Sequence, residues 1–133
     1  MSNIISTIKT IKSCDSLHIV EFDFFGQTLS MMSLDLNKDL KIGTKVNLMV
    51  KSSHIAIAKN FIGEVSYSNK LDSKIVSIDN GELLSSIELN CNGIILESII
   101  TVNSSKKMDL KVGDDVIAFI KASELSIGNI IND

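Results

Sequence analysis

The 133-residue chain contains no proline, no tryptophan and a single tyrosine, Tyr67. Without proline, its sheet edges must be protected by closure, by charge or by partner subunits. Few aromatics, a net charge of −3 and no basic block remove the stacking platforms and the cationic groove that single-stranded nucleic acid needs, so no nucleic-acid partner is expected. The two cysteines, Cys14 and Cys91, form no CxxC pair and lie far in sequence from His18 and His54, which leaves no zinc-ligand spacing. No apolar run approaches the ~18 residues of a membrane helix. The opening "MSNIISTIKTIKS" lacks the basic-then-apolar order of a signal peptide. These absences lead us to expect a cytoplasmic protein with reduced thiols and no membrane partner. No Ser/His/Asp or paired-carboxylate arrangement stands out, so neither an enzyme nor an organic cofactor is expected.

What is present is an ordinary globular composition, 44% hydrophobic and 22% charged, with a sequence that repeats itself. With Ile4 set against Leu71, Ser6 meets Ser73, Ile8 meets Ile75, Leu17 meets Leu84, Gly26 meets Gly93 and Leu29 meets Leu96. After a loop three residues longer in the second half, "LKIGTKV" from Leu40 meets "LKVGDDV" from Leu110, and "VKSSHIAIA" from Val50 meets "IKASELSIG" from Ile120. Matches in one order along nearly the whole of each half are the mark of a duplication. We read units at 1–60 and 71–133, joined by a linker at 61–70. A unit of about 65 residues buries only about 60% of its unfolded surface, so the two must pack on each other or on further subunits.

Each half reads as strands. "NIISTIKTIK" and "LDSKIVSI" are dense in β-branched residues. "SLHIVEFDFF" and "LSSIELNC" alternate apolar and polar, and Gly26 and Gly93 fall where these strands should turn. "KIG" and "KVG" mark a second turn, and "HIAIA" and "ELSIG" are the last short strand of each half. Only "DLNKDL" and "NSSKKMDL" look helical, one or two turns at most, the latter capped by Asn103 or Ser104. The expected fold is all-β: two tandem OB-like five-stranded small barrels, each with one short helical turn.

The run "GIILESIITVNSSKKMDLKVGDDVIAFIKASELSIG" resembles the TOBE/Mop molybdate-binding domain family, and two such units in one short chain resemble its tandem, di-Mop members. The first half, "GQTLSMMSLDLNKDLKIGTKVNLMVKSSHIAIA", is a looser copy. The resemblance implies a homotrimer that holds molybdate or tungstate at interfaces between domains. It also implies ligand steps at Thr101 and Ser104, and at Lys121, Ala122 and Ser123. A further step lies at Ser66, Ser68 and Asn69, where Ser68 stands in place of the family's arginine. In the first half Lys51, Ser52 and Ser53 match the lysine step and Ser33 is the counterpart of Thr101, while "MSN" is too short for a full leading segment.

The chemistry is coherent. A tetrahedral dianion wants donors converging from several directions, which hydroxyls and loop amides supply, together with one or two cations. Hydrogen bonds to a charged partner are worth roughly 1.5–3 kcal/mol each, so a cluster of about four can offset the dianion's desolvation. Lysine brings a mobile point charge where arginine would bring a rigid fork. Each residue also has a plainer role open to it. Lys51 and Lys121 can be solvated rim lysines, Thr101 and Ser123 strand or turn residues, Ser104 a cap. His18 and His54 read as surface strand residues, and "FDFF" as core and interface. The expected function is oxyanion storage, buffering or delivery. The alternative is a stand-alone TOBE interaction or sensor module acting through a protein partner, since a Walker motif and a DNA-reading helix are both absent. Far-ultraviolet circular dichroism should show a mostly β spectrum; a helix content near half would overturn this reading.

Overall fold

A computed structural model describes residues 1–132; Asp133, the last residue of the expected second unit, lies outside the described part. In the first half, β1 (Ser2–Cys14), β2 (Leu17–Phe24) and β3 (Gln27–Ser33) form an antiparallel meander, followed by β4 (Lys45–Val50), a 3-10 turn at Ser52–His54 and β5 (Ala56–Ala58). The second half repeats the series with β6 (Asn69–Asn80), β7 (Leu84–Cys91), β8 (Ile94–Thr101), the short helix α1 (Val102–Lys107), β9 (Asp115–Ile120), a 3-10 turn at Ala122–Glu124 and β10 (Ser126–Ile130). Strands dominate because apolar residues alternate: along β1, Ile4, Ser6 and Ile8 point inward while Asn3 and Ile5 are exposed.

Both long strands carry a β-bulge at the same repeat position, between Ile8 and Thr10 in β1 and between Ile75 and Ser77 in β6. A bulge bends its strand and increases the local twist. It lets β1 pair with β4 over Ser2–Thr7 and with β2 over Thr7–Cys14, which curls the sheet around its core. The β2–β3 and β7–β8 hairpins close through Phe25–Gly26 (φ +49° and +80°) and Asn92–Gly93 (φ +53° and +87°). Positive φ at both turn residues is the type I′ turn whose twist suits a hairpin. Asn-Gly is its favoured pair; Phe25 adopts the same backbone with its ring edge-on to Phe24 at 4.9 Å.

The sheets do not follow the halves to their ends. Their strand orders are β10-β4-β1-β2-β3 and β5-β9-β6-β7-β8. The expected last strands form over only part of "HIAIA" and "ELSIG", from Ala56 and from Ser126 onward, and neither stays in its own half. Ile57 pairs with Ala118, and Ile127 with Leu48. After Val50 and Ile120 the 3-10 turn redirects the chain, and each tail covers the otherwise unpaired edge of the opposite sheet. The two halves therefore share one continuous apolar core, from Ile4, Phe22 and Leu48 to Leu71, Ile87 and Ile120.

Two further features differ from the sequence reading. "DLNKDL" closes as a turn rather than a helix: Leu40 N–H donates to Asn37 O at 3.1 Å, and the Asn37 side chain accepts from Asp39 N–H at 2.9 Å. An asparagine that bonds its own loop competes with helix formation, and the loop is three residues shorter than its counterpart. In the second half, α1 is capped by Thr101, whose Oγ1 accepts from Ser104 N–H at 3.2 Å, rather than by Asn103 or Ser104.

The first residue of each long strand clasps the opposite half. Asn69, fully buried, accepts from Ser30 N–H at 2.7 Å through Oδ1 and donates to Ser30 O at 3.0 Å through Nδ2. Its repeat counterpart Ser2 accepts from Glu97 N–H at 2.9 Å, and Glu97 is the repeat counterpart of Ser30. Asn69→Ala strands two backbone groups of Ser30 and should cost roughly 2 kcal/mol of unfolding free energy. Ser2→Ala, which strands one, should cost less. Urea titration of both variants measures the order.

Candidate functional site

The exchange of tails brings the two lysine-serine steps together. Lys51, Ser52, Ser53 and His54 correspond one by one to Lys121, Ala122, Ser123 and Glu124. His54 Nδ1 lies 2.6 Å from Glu124 Oε2. The reciprocal exchange of tails relates the halves by a pseudo-two-fold axis, and these two residues at equivalent repeat positions meet beside it. The first 3-10 turn packs on β8, where Ser98 Oγ donates to Ile55 O at 2.5 Å; the second packs on β3.

Two open cavities flank this pair. One, of about 300 Å³, is lined by Lys121, Glu124 and Tyr67 together with Ser53, His54 and the Ile99–Ile100 wall of β8. The other, of about 310 Å³, is lined by Lys51, His54 and Met1 together with Ser123 and Glu124. Each lysine thus shares a cavity with the serine of the other half's step. Lys121 and Ser123, neighbours in sequence, line different cavities. Met1 lines the second cavity, and Tyr67, stacked on Phe119 at 5.1 Å, lines the first.

The remaining residues named from sequence fall around this seam. Ser66 and Ser68 are exposed on either side of Tyr67. Asn69 is buried, with its side-chain amide engaged by Ser30. Thr101 Oγ1 donates to Ser104 Oγ at 3.0 Å at the end of β8. Ala122 is half-buried. Ser33 bonds the Asp35 backbone and lines, with Ser123, a separate groove of about 630 Å³ walled by Met31, Leu36 and Ile127. Ser52 is buried; its hydroxyl donates to Glu97 Oε1 at 2.8 Å and accepts from the Met1 amine at 3.3 Å. Among the described residues no cluster of histidine, cysteine and carboxylate groups is arranged to hold a metal ion. Burial pushes the Cys91 thiol up, away from the reactive thiolate.

Sequence reasoning missed Tyr67, Glu97, Glu124 and the part played by His54, which stands in a 3-10 turn and not on a strand. The signal for the last two was available: the offset of 70 sets His54 opposite Glu124. Glu97 joins the network from β8. Hydroxyl donation from Ser86 at 2.7 Å and from Ser52, with a smaller contribution from the Met1 amine, holds its carboxyl below the ordinary range. A depressed carboxylate stabilises the fold at pH values above its unfolded pKa, and that contribution is lost as pH falls through its folded value. Thermal melts of Glu97→Gln should therefore show a lower midpoint than wild type near neutrality and a shallower loss below about pH 5.

Comparison with known proteins agrees with this architecture. Residues 66–127 match the model of the TOBE domain. A probable molybdenum-pterin-binding protein of Haemophilus influenzae is 32% identical over 66 residues, spanning 49% of this chain and 96% of that protein. The cytoplasmic molybdate-binding protein ModG, solved with molybdate bound, superposes with a TM-score of 0.87 at 22% identity, covering 95% of this chain and 94% of its own; at that identity the likeness is one of fold. A molybdate-binding protein from Sporomusa ovata, 31% identical, covers 50% of this chain and all of its own with a TM-score of 0.49. Since the chain covers 96% of a relative to which it is 32% identical, it belongs to the TOBE/Mop domain family, and it shares the doubled fold of ModG.

Proposed function

We propose that this protein is a cytoplasmic, non-enzymatic binder of molybdate or tungstate that stores, buffers or delivers the oxyanion. The observation that carries the reading is the pairing across the seam, Lys121 with Ser53 and Lys51 with Ser123, in two small cavities. A lysine supplies charge, and serine hydroxyls supply directed donors for a tetrahedral dianion. Thr101, Ser104, Ser66 and Ser68, exposed nearby, are the hydroxyls that a second copy of the chain would meet. Both cavities open to solvent, so the sites are completed in the assembly, a homotrimer of chains whose repeat units are 1–60 and 71–133 about the 61–70 linker. The ligand set is fuller on the Lys121 side, where Tyr67 and the Ser66–Ser68 segment border the cavity. The names of the relatives, a molybdenum-pterin-binding protein and a molybdate-binding protein solved with its ligand, support the same ligand class.

Calorimetric titration with molybdate should give saturable heat that sulfate does not. A ligand held only by the folded assembly should also raise the melting temperature, by an amount equivalent to about 2.7 kcal/mol at a hundredfold excess over Kd. Absence of both heat and thermal shift at millimolar molybdate rejects the proposal. Lys121→Ala should weaken binding more than Lys51→Ala; equal or reversed losses would move the principal site to the other cavity. Native mass of the loaded protein tests the trimer.

A further inference from the structure

The His54–Glu124 pair lines both cavities, and its side chains are only about one-third exposed, 36% and 35%. Around it stand Lys51, Ser53, Lys121 and Ser123 from the two turns, the Met1 amine, Tyr67 from the linker, and Glu97 reached through Ser52 from β8. The two carboxylates largely offset the two lysines. A dianion entering either cavity therefore meets a wall whose charge depends on His54. When His54 is neutral, its Nδ1–H donates to Glu124, its Nε2 carries a lone pair, and the pair bears one negative charge. When His54 is protonated, the pair is neutral and Nε2 becomes a donor.

We infer that His54 is a binding-site residue whose protonation is coupled to oxyanion uptake, with Glu124 as the carboxylate that holds its ring at the seam. The inference rests on the oxyanion reading above. Its sign follows from linkage: an anion that binds better to the protonated form draws a proton onto the protein. Affinity then rises as pH falls, by at most tenfold per pH unit for one linked proton. Glu124 shapes the same equilibrium from the other side. Its negative charge opposes the anion when His54 is neutral, so removing that charge favours binding most at the alkaline end.

The test is calorimetric titration of the full chain with sodium molybdate at pH 6, 7 and 8. Each titration is run in two buffers of different ionisation enthalpy, so that protons taken up per anion are counted. Wild type should take up a fraction of a proton per anion and bind several-fold more tightly at pH 6 than at pH 8. In His54→Gln both the proton uptake and the pH slope should vanish. Glu124→Gln should bind more tightly than wild type at pH 8 and show a smaller slope. A purely structural role for the pair would shift melting temperatures without altering the proton count. Proton uptake in His54→Gln equal to wild type, or affinity in wild type that does not change with pH, overturns this inference while leaving the oxyanion site in place. No molybdate heat in wild type at any pH overturns both.

Discussion

The exchange of C-terminal tails between the two sheets is the constraint on which the rest depends. A half that kept its own last strand would be a closed unit with a separate small core. By sending β5 to β9 and β10 to β4, each half completes the other's edge, and the apolar interior becomes one cluster. Small units bury too little surface to stand alone; the exchange removes the possibility that they try. It also fixes the site. Because each tail begins with a 3-10 turn directly after its lysine, exchanging the strands carries both turns to the pseudo-two-fold axis, where His54 and Glu124 meet. The buried clasps of Asn69 on Ser30 and Ser2 on Glu97 tie the start of each long strand to the same seam.

The charge chemistry of that seam is frugal. The chain has no arginine at all, so the rigid, bidentate recognition that guanidinium offers is absent and every side-chain cation there is a lysine, histidine or the terminal amine. Lysine is strongly hydrated and mobile, which makes neighbouring fixed charges more consequential. Glu97 is quietened by hydrogen bonds from Ser52 and Ser86, whose hydroxyls are thereby committed as donors. Of the serines in the two turns, Ser53 and Ser123, not Ser52, line the cavities. Ser52 matches the family step in sequence, and its buried hydroxyl is engaged by Glu97 and the Met1 amine.

Much of this was legible in the sequence. Strand content and the paired turns at Gly26 and Gly93 follow from local pattern, because alternation and turn chemistry act over a few residues; the duplication follows from matches in one order along both halves, and the family from the resemblance of its motifs. Strand partners are another matter. "HIAIA" and "ELSIG" satisfy an edge in either half equally well, and nothing local says which edge each will reach. Choosing the partner depends on the 3-10 turn that redirects the chain, and three residues such as "SSH" or "ASE" do not announce it. The same blindness hid the cavities. Lys121 and Ser123 are two apart in sequence and belong to one step of the family resemblance; the turn sets them in different cavities beside the His54–Glu124 pair.

The halves have diverged most where the seam is not involved. At the helix of the second half, Lys59 from the first half's tail, just after the exchanged strand β5, donates to the carbonyls of Met108 at 3.1 Å and Asp109 at 2.8 Å and pairs with Asp114 at 3.1 Å. A cation at the C-terminus of α1 satisfies exposed carbonyls and suits the helix dipole. Its repeat counterpart is Asn129, which instead accepts from Asn47 Nδ2 at 3.3 Å. Without the lysine latch and with three fewer residues, the first-half loop forms no helix, and the groove walled by Met31, Leu36 and Ile127 stays open. The helix of one half is thus anchored by the tail of the other. The exchanged tails thus differ at one repeat position, Lys59 bonding the opposite loop and Asn129 not, while the 3-10 turns a few residues upstream keep their equivalent places.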